Sequence, residues 1–467
     1  MKRWKRSRRM LAPLALAAAA FPTASPGEEP APLTQEQRRE VITGLNELLD
    51  DIYVIPETAD AMIARLRGDL DAGRFVADTD PVEFAAKLTG ILQEMSGDQH
   101  LRVSYGAGGG AEPLRVRVSG DPGGAAPGAT DGPVRVVRRA PGDGVVPRRL
   151  EGIEPFPRAE LLPGNVACVE VRLFAPREGA EDRAAEVMKT IADADAVVFD
   201  LRACMGGAPD MVHLVTSYLY GPEPMHLLTY YHAYEEPDSA YTLAEVPGVR
   251  RPDIPVYVVT SRFTGSGGEE FTYNLKHHGR ATVVGERTAG AGHGGGVHPV
   301  AAGFEAFVPD FRPVHPVTGG GWEGVGVEPD IEVGADRALD FAHREALREI
   351  ARGRPDDPAA LAEEIARLDE RIDGEPPTMD AVTLADYAGV YEIRTIRVKD
   401  GGLTLQRTGG PELELVPAGE PDHFTLTLIP TARIRFERDA AGTVTAVHVL
   451  NMRGEWEMSR KTSQAAP

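Results

Sequence analysis

Residues 254–286 read IPVYVVTSRFTGSGGEEFTYNLKHHGRATVVGE. IPVYVVTS, residues 254–261, is a short apolar run of the kind that forms a strand covered on both faces. A glycine turn follows at Gly265–Gly268, then an amphipathic helix over Glu269–His278, then a second strand in RATVVGE. Strand, turn, helix and strand in that order form a βαβ unit, and such units build parallel sheets. Ser266 lies where the helix begins. Free backbone N–H groups and the positive end of the helix dipole gather there. They can stabilise the oxyanion formed when a hydroxyl attacks a carbonyl. Taken alone, a serine in such a place is more often a helix cap.

The same alternation extends outward from this segment. NVACVEVRLF (165–174) and ADAVVFDLR (194–202) read as strands, and 177–190 and 209–220 as helices. The fold class is therefore α/β: a mixed, mostly parallel sheet with flanking helices over residues 161–375, ending in helices at 337–350 and 359–371. Residues 33–106 form an N-terminal helical domain. Its three segments carry apolar residues on one side, for example Met62, Ile63, Leu66 and Leu70, and predict a small bundle. Residues 107–160, with GAGGG and GDPGGAAPGATDGP, read as turns and linker around the strands LRVRV and VRVVRRA. Short alternating strands recur over 378–463, a C-terminal antiparallel, barrel-like β domain.

The chain has 467 residues and a formal net charge of -21. Beyond the first ten residues no basic stretch interleaved with aromatics appears, so nucleic acid is a poor partner. Residues 1–24 have the layout of a secretory signal: Lys2, Arg3, Lys5, Arg6, Arg8 and Arg9, then an apolar run from Met10 to Phe21 that is too short to span a bilayer. Removing them leaves a mature charge of about -27. The expectation is export to the periplasm or the extracellular space, with a Sec signal. The stretch from Ser7 to Leu11 also resembles a twin-arginine signal. No cysteine near the cleavage zone supports a lipid anchor. The two cysteines, Cys168 and Cys204, leave one disulfide open and build no zinc site. No metal is expected. No phosphate loop or other cofactor motif is seen, so no cofactor is expected either.

Four spaced motifs carry the chemistry. They are Asp200-Leu201-Arg202-Ala203-Cys204-Met205-Gly206-Gly207, Ser266-x-x-Glu269, Gly279-Arg280-Ala281-x-x-Val284-Gly285-Glu286-x-Thr288, and Trp322-Glu323-Gly324-x-Gly326-Val327-x-Pro329-Asp330. In this order they resemble peptidase family S41, the tail-specific or C-terminal-processing proteases, and most of all its tricorn-core and interphotoreceptor-retinoid-binding-like branch. The resemblance implies a ClpP/crotonase-like core and peptide or unfolded-protein substrates. It implies Ser266 as nucleophile, with Gly267 and Gly206 or Gly207 supplying the oxyanion N–H groups. One branch uses a lysine as base where this chain has Ala291. The other uses a histidine in a D-G-H-T-like motif, which Asp98-Gln99-His100-Leu101 resembles, so His100 is the expected base. Glu323 is the implied orienting acid, acting through the residue next to the histidine or through a hydroxyl relay. Glu286 is its competitor. Gln99 stands where the relay serine would be. Residues 107–160 are too short and glycine-rich for the PDZ domain found in many relatives. AGAGHGGGV, 289–297, reads as a mobile glycine-rich loop beside the site, with His293 and His298 along the cleft.

Two other readings keep the same fold: a non-catalytic binding protein for apolar ligands or peptides, and an esterase or amidase acting on non-peptide substrates. A structural role through the β domain is a third. The sequence leaves a homo-oligomer open.

Overall fold

The computed structural model describes residues 31–106, 153–353, 359–374, 381–408, 412–418, 420–426, 432–451 and 455–463. The expected export signal, the strands LRVRV and VRVVRRA, and most of the expected boundary near 373–380 lie outside these residues.

Three helices open the described chain: α1 (Gln35–Ile52), α2 (Pro56–Asp71) and α3 (Pro81–Ser96). Each start is written locally. Thr34 and Gln37 exchange side-chain bonds with each other's backbone N–H at the head of α1. Asp80 accepts from the N–H groups of Val82 and Glu83 ahead of Pro81. α3 stops at Gly97, whose φ of 72° is left-handed. The helices do not close a bundle by themselves. Their apolar sides, with Leu45, Met62, Phe84 and Leu88, share one core with Val103, Phe304, Ala306 and Val308 of an antiparallel sheet. Three short amphipathic helices leave one side of their core open, and here that sheet covers it.

That sheet is assembled from β1 (Arg102–Tyr105), β5 (His226–His232), β6 (Asp238–Tyr241), β9 (Gly294–Pro299) and β10 (Phe304–Val314). β1 and β9 flank the first half of β10, and β5 pairs with its second half. β9 takes up part of the predicted glycine-rich loop, which corrects the reading of 289–297 as mobile. Gly294 and Gly295 pack so closely on Phe311 and Val308 that a side chain there would collide with them. The glycines therefore permit close strand packing rather than movement.

The second sheet holds β2 (Arg158–Leu162), β3 (Val166–Glu170), β4 (Ala196–Asp200), β7 (Val256–Thr260), β8 (Thr282–Gly285) and β11 (Ile331–Glu332), in the order β11-β8-β7-β4-β3-β2. All its pairings are parallel except β2 with β3. β3, β4 and β7 are buried at every residue, because helices cover both faces. One face, with Val169, Phe199 and Val258, packs on α4 (Arg177–Met188), α5 (Pro209–Ser217) and α6 (Gly267–His277). The other, with Val166, Val198 and Val259, packs on α7 (Ala335–Gly353) and α8 (Ala359–Asp373). This is the predicted mostly parallel core. Cys168 and Cys204 are both buried and free.

After α9 (Ala381–Tyr387) the chain forms a closed antiparallel barrel of eight strands, from β12 (Gly389–Tyr391) to β19 (Trp456–Ser463). β12 pairs with β19, which removes both sheet edges. Its centre is filled by residues such as Tyr391, Ile396, Phe424 and Phe436. Among the described residues no helix is long and apolar enough to cross a membrane.

Candidate active site

β7 delivers the chain to a turn, and α6 starts one residue beyond Ser266. Ser266 has φ 51° and ψ -122°. A side-chain-bearing residue in such a conformation costs about 1–3 kcal/mol, and persists only where neighbours hold it. Glu269 is the holder. It is fully buried, and its Oε2 accepts from the Ser266 N–H at 2.9 Å and the Ala291 N–H at 2.8 Å. Its Oε1 accepts from the Thr288 hydroxyl and, at 2.6 Å, from the Gly290 N–H. Burial pushes the Glu269 carboxyl up to about 7, against the opposing pull of these four donors.

The Gly206-Gly207 turn after β4 presses against this serine. A Cβ on Gly206 would lie 2.5 Å from the Ser266 Cβ, and one on Gly207 would lie 2.1 Å from the Phe174 carbonyl oxygen. Both glycines have positive φ, 102° and 131°, so a side chain is excluded on conformation as well as on space. The Gly267 Cα faces the Gly207 backbone, whose nitrogen would be 3.1 Å from an added Cβ. Hydroxyls stitch the two turns together: Ser261 Oγ donates to the Arg202 carbonyl at 2.7 Å, and Thr264 Oγ1 to the Leu201 carbonyl at 2.8 Å. Arg202 forks onto Asp200 with two N–H groups, at 2.7 and 2.8 Å, and reaches the Ala335 carbonyl at the start of α7. Burial would raise the Asp200 carboxyl, but the guanidinium prevails and lowers it. Asp200 and Arg202 thus anchor the turn. Burial holds the Cys204 thiol near 12, so it stays protonated.

A second cluster gathers around Asp98, in the turn between α3 and β1. One side-chain atom each of Asp98, His100 and Glu323 lie within 4.8 Å of one another. Asp98 is 1% exposed. Its Oδ1 accepts from the His100 N–H at 3.0 Å, and its Oδ2 from the Tyr53 hydroxyl at 3.3 Å. His293 Nδ1 lies 2.8 Å from the same Oδ2. The His100 ring stacks on Phe307, centroids 5.7 Å apart. Glu323 Oε2 accepts from the N–H groups of Gly292 and His293 at 2.6 and 2.7 Å. Its Oε1 is buried without a hydrogen-bond partner. Burial raises the Glu323 carboxyl, the nearby Asp98 raises it further, and His293 offsets part of this. The same Asp98, His100 and Glu323 atoms form a candidate cation set, but both Asp98 oxygens already accept hydrogen bonds.

The two halves meet along one stretch of backbone. The N–H groups of Gly290 and Ala291 point to Glu269, and those of Gly292 and His293 to Glu323. Trp322 Nε1 donates to the Ala291 carbonyl at 2.9 Å. Residues 290–293, the start of the predicted mobile loop, are thereby held by two carboxylates.

Glu286 lies elsewhere. Its carboxylate accepts from the Arg262 N–H at 3.2 Å and pairs with the Arg262 side chain at 3.5 Å, beside the β7 turn. Gln99, at the expected relay position, is exposed, so the buried carboxylate next to His100 is that of Asp98, two residues before it. Sequence reasoning missed the parts played by Asp98, His293 and Tyr53. The Asp-x-His spacing was a usable signal, since an Asp side chain often accepts from the N–H two residues on.

The model of peptidase family S41 matches residues 165–333, and the model of the N-terminal domain of Peptidase_S41 in eukaryotic IRBP matches residues 33–123. The chain belongs to peptidase family S41, a family of serine-type peptidases. Among solved structures it is similar to the photosystem II D1 C-terminal processing protease, at 22% identity over 39% of this chain and 47% of that one, TM-score 0.30. The chain thus matches about half the length of that protease. It is also similar to mature CPAF, at 13% identity over 69% of this chain and 98% of that one, TM-score 0.40. A lipoprotein from Streptococcus agalactiae matches at 10% identity over 72% of this chain and all of that one, TM-score 0.44.

Proposed function

We propose that the protein is an exported serine peptidase that hydrolyses peptide bonds through an acyl-enzyme on Ser266. The observation that carries this reading is the conformation of Ser266, held at the head of α6 by Glu269 with the backbone of Gly206, Gly207 and Gly267 against it. Strain of this kind is retained where it serves chemistry. Ser266 Oγ attacks the peptide carbonyl carbon while His100 takes its proton. The Gly267 N–H and an N–H of the Gly206-Gly207 turn hold the oxyanion. The C–N bond breaks and the leaving amine takes the proton from His100. Water then attacks the ester by the same route, giving the free acid and restoring Ser266. Glu323 is the orienting acid. Its buried, unpartnered Oε1 is suited to accept from the His100 ring. Ala291 cannot accept a proton, which favours the histidine route over a lysine one. The arginine-rich start and apolar run of residues 1–24 support export.

A serine-reactive fluorophosphonate tests the reading. The mature protein should be labelled on Ser266, and Ser266→Ala should not be. Folded protein that stays unlabelled from pH 6 to 9 would sink it. Mass spectrometry of a digested peptide library should then show cleaved peptides. Ester turnover without peptide cleavage would replace the peptidase by an esterase.

A further inference from the structure

Nothing in the proposed reaction calls for a second histidine, yet one stands beside the first. His293 is 8% exposed. Its Nδ1 lies 2.8 Å from Asp98 Oδ2 and 3.9 Å from Glu323 Oε2. Its backbone N–H bonds Glu323 Oε2 at 2.7 Å. Asp98 uses its other oxygen to hold the His100 N–H. A continuous path therefore runs from Glu323 through the His293 backbone and ring to Asp98, and from there to the backbone of His100. The ring contact at its middle joins Asp98 and His293, which lie 195 residues apart in the chain.

We propose that His293 is a positioning residue for the reaction: its ring, bonded to Asp98, fixes His100 and Glu323 relative to each other. This inference rests on the assignment of His100 and Glu323 above. The physical case has two parts. Asp98 is buried beside a second carboxylate, and a buried carboxylate without donors is costly. Tyr53, from the end of α1, and the His100 N–H supply two donors, and the His293 ring supplies the shortest contact. The second part is direction. Because Nδ1 faces the acceptor Asp98, it carries the proton, and the ring orientation is set. That in turn sets the backbone at residue 293, which holds Glu323. The titratable groups facing the ring are Asp98 and Glu323, and Tyr53 and His100 bond the same Asp98, so the groups come from three separate segments of the fold.

The discriminating substitutions are His293→Asn and His293→Gln. An asparagine amide nitrogen can stand near the position of Nδ1, whereas a glutamine amide reaches toward the position of Nε2. The full-length mature protein is labelled with the fluorophosphonate, and kcat, KM and the pH profile are measured on a cleaved peptide. His293→Ala should slow Ser266 labelling and lower kcat about 30-fold or more, with KM within about threefold, and should displace the acid limb of the kcat/KM profile. His293→Asn should label at least about tenfold faster than His293→Gln and restore the profile. Thermal unfolding of each variant separates this from loss of fold, and the Asn-against-Gln comparison remains decisive should the alanine variant not fold. Equal rates for Asn and Gln, or wild-type rate and profile in the alanine variant, overturn the positioning role while the Ser266 reading stands. A wild-type protein that is folded and unlabelled overturns both.

Discussion

Around Ser266 the structure is carried by backbone: a strained serine, two glycines without room for a side chain, and one carboxylate that gathers N–H groups. Around His100 it is carried by side chains brought from far apart, Tyr53 from α1, Asp98 and His100 from the α3–β1 turn, His293 from the approach to β9 and Glu323 from beyond β10. The first half sits on a parallel sheet buried on both faces, so its atoms are positioned by elements that scarcely yield. The second sits where the helical layer meets the antiparallel sheet. Its geometry depends on polar contacts, each worth about 0.5–1.5 kcal/mol net and costly to leave half made. The oxyanion side should therefore fail by steric exclusion, and the base side by loss of alignment.

The largest effect is expected from Gly206→Ala. Its methyl group would stand against the Ser266 Cβ, and both fluorophosphonate labelling and peptide turnover should fall at least about 100-fold, the scale of losing an oxyanion donor. Labelling within about threefold of wild type would mean that the glycine turn does not constrain Ser266.

Glu269→Gln comes next. The amide would turn an NH2 toward groups that themselves donate, at a cost of about 2–4 kcal/mol in a urea titration. The pH dependence has a definite sign. Folding raises this carboxyl from 4.5 to about 7, so the native state holds the proton more tightly than the unfolded chain. The contribution of the group to stability is greatest below about pH 4.5 and is lost as pH rises toward about 7. The variant should show a flatter profile across that window. A wild-type profile that climbs more steeply than the variant's there would refute the sign.

Asp98→Asn tests the side-chain half. The asparagine carbonyl can still accept from the His100 N–H, but its NH2 faces the donors that Oδ2 now receives. A 10- to 100-fold loss in kcat is expected with roughly 1–2 kcal/mol of stability. A loss of stability with kcat unchanged would make Asp98 purely structural.

The smallest effect concerns the seam. Glu269 and Glu323 grip consecutive N–H groups of residues 290–293, so Glu269→Gln and Glu323→Gln should couple by about 0.5–1 kcal/mol in a double-mutant cycle. Strict additivity would show that the two halves stand independently.

The halves also differ in how far the sequence revealed them. The parallel core was readable because β3, β4 and β7 are apolar runs between turn signals, and the barrel because its short strands alternate. The antiparallel sheet was largely missed. β9 opens on three glycines, and β10 contains Pro309 and Pro313 within its pairing, so glycine and proline interrupt the strand signal in both. The helical segments were found, but the sheet that completes their core comes from distant sequence and leaves no local periodicity. Ser266, Glu269 and the Gly206-Gly207 turn were marked by motifs. Asp98 stood in the motif that pointed to His100, but nothing marked it as a buried acceptor, and His293 lay in a glycine run, so their pairing stayed hidden until the fold brought them within 2.8 Å.

By itself the sequence determined the elements whose cause is local: helix caps, the Gly97 stop, the buried strands, and a serine poised at the head of a helix. The tertiary structure alone decided which polar groups share a desolvated site. It put Asp98 rather than Gln99 beside His100, placed Glu286 against Arg262, and held residues 290–293 between Glu269 and Glu323. The physical reason is that propensity and periodicity act over a few residues. The partners of a buried charge are set by the packing of segments hundreds of residues apart, where each charge must find its donors or not be buried at all.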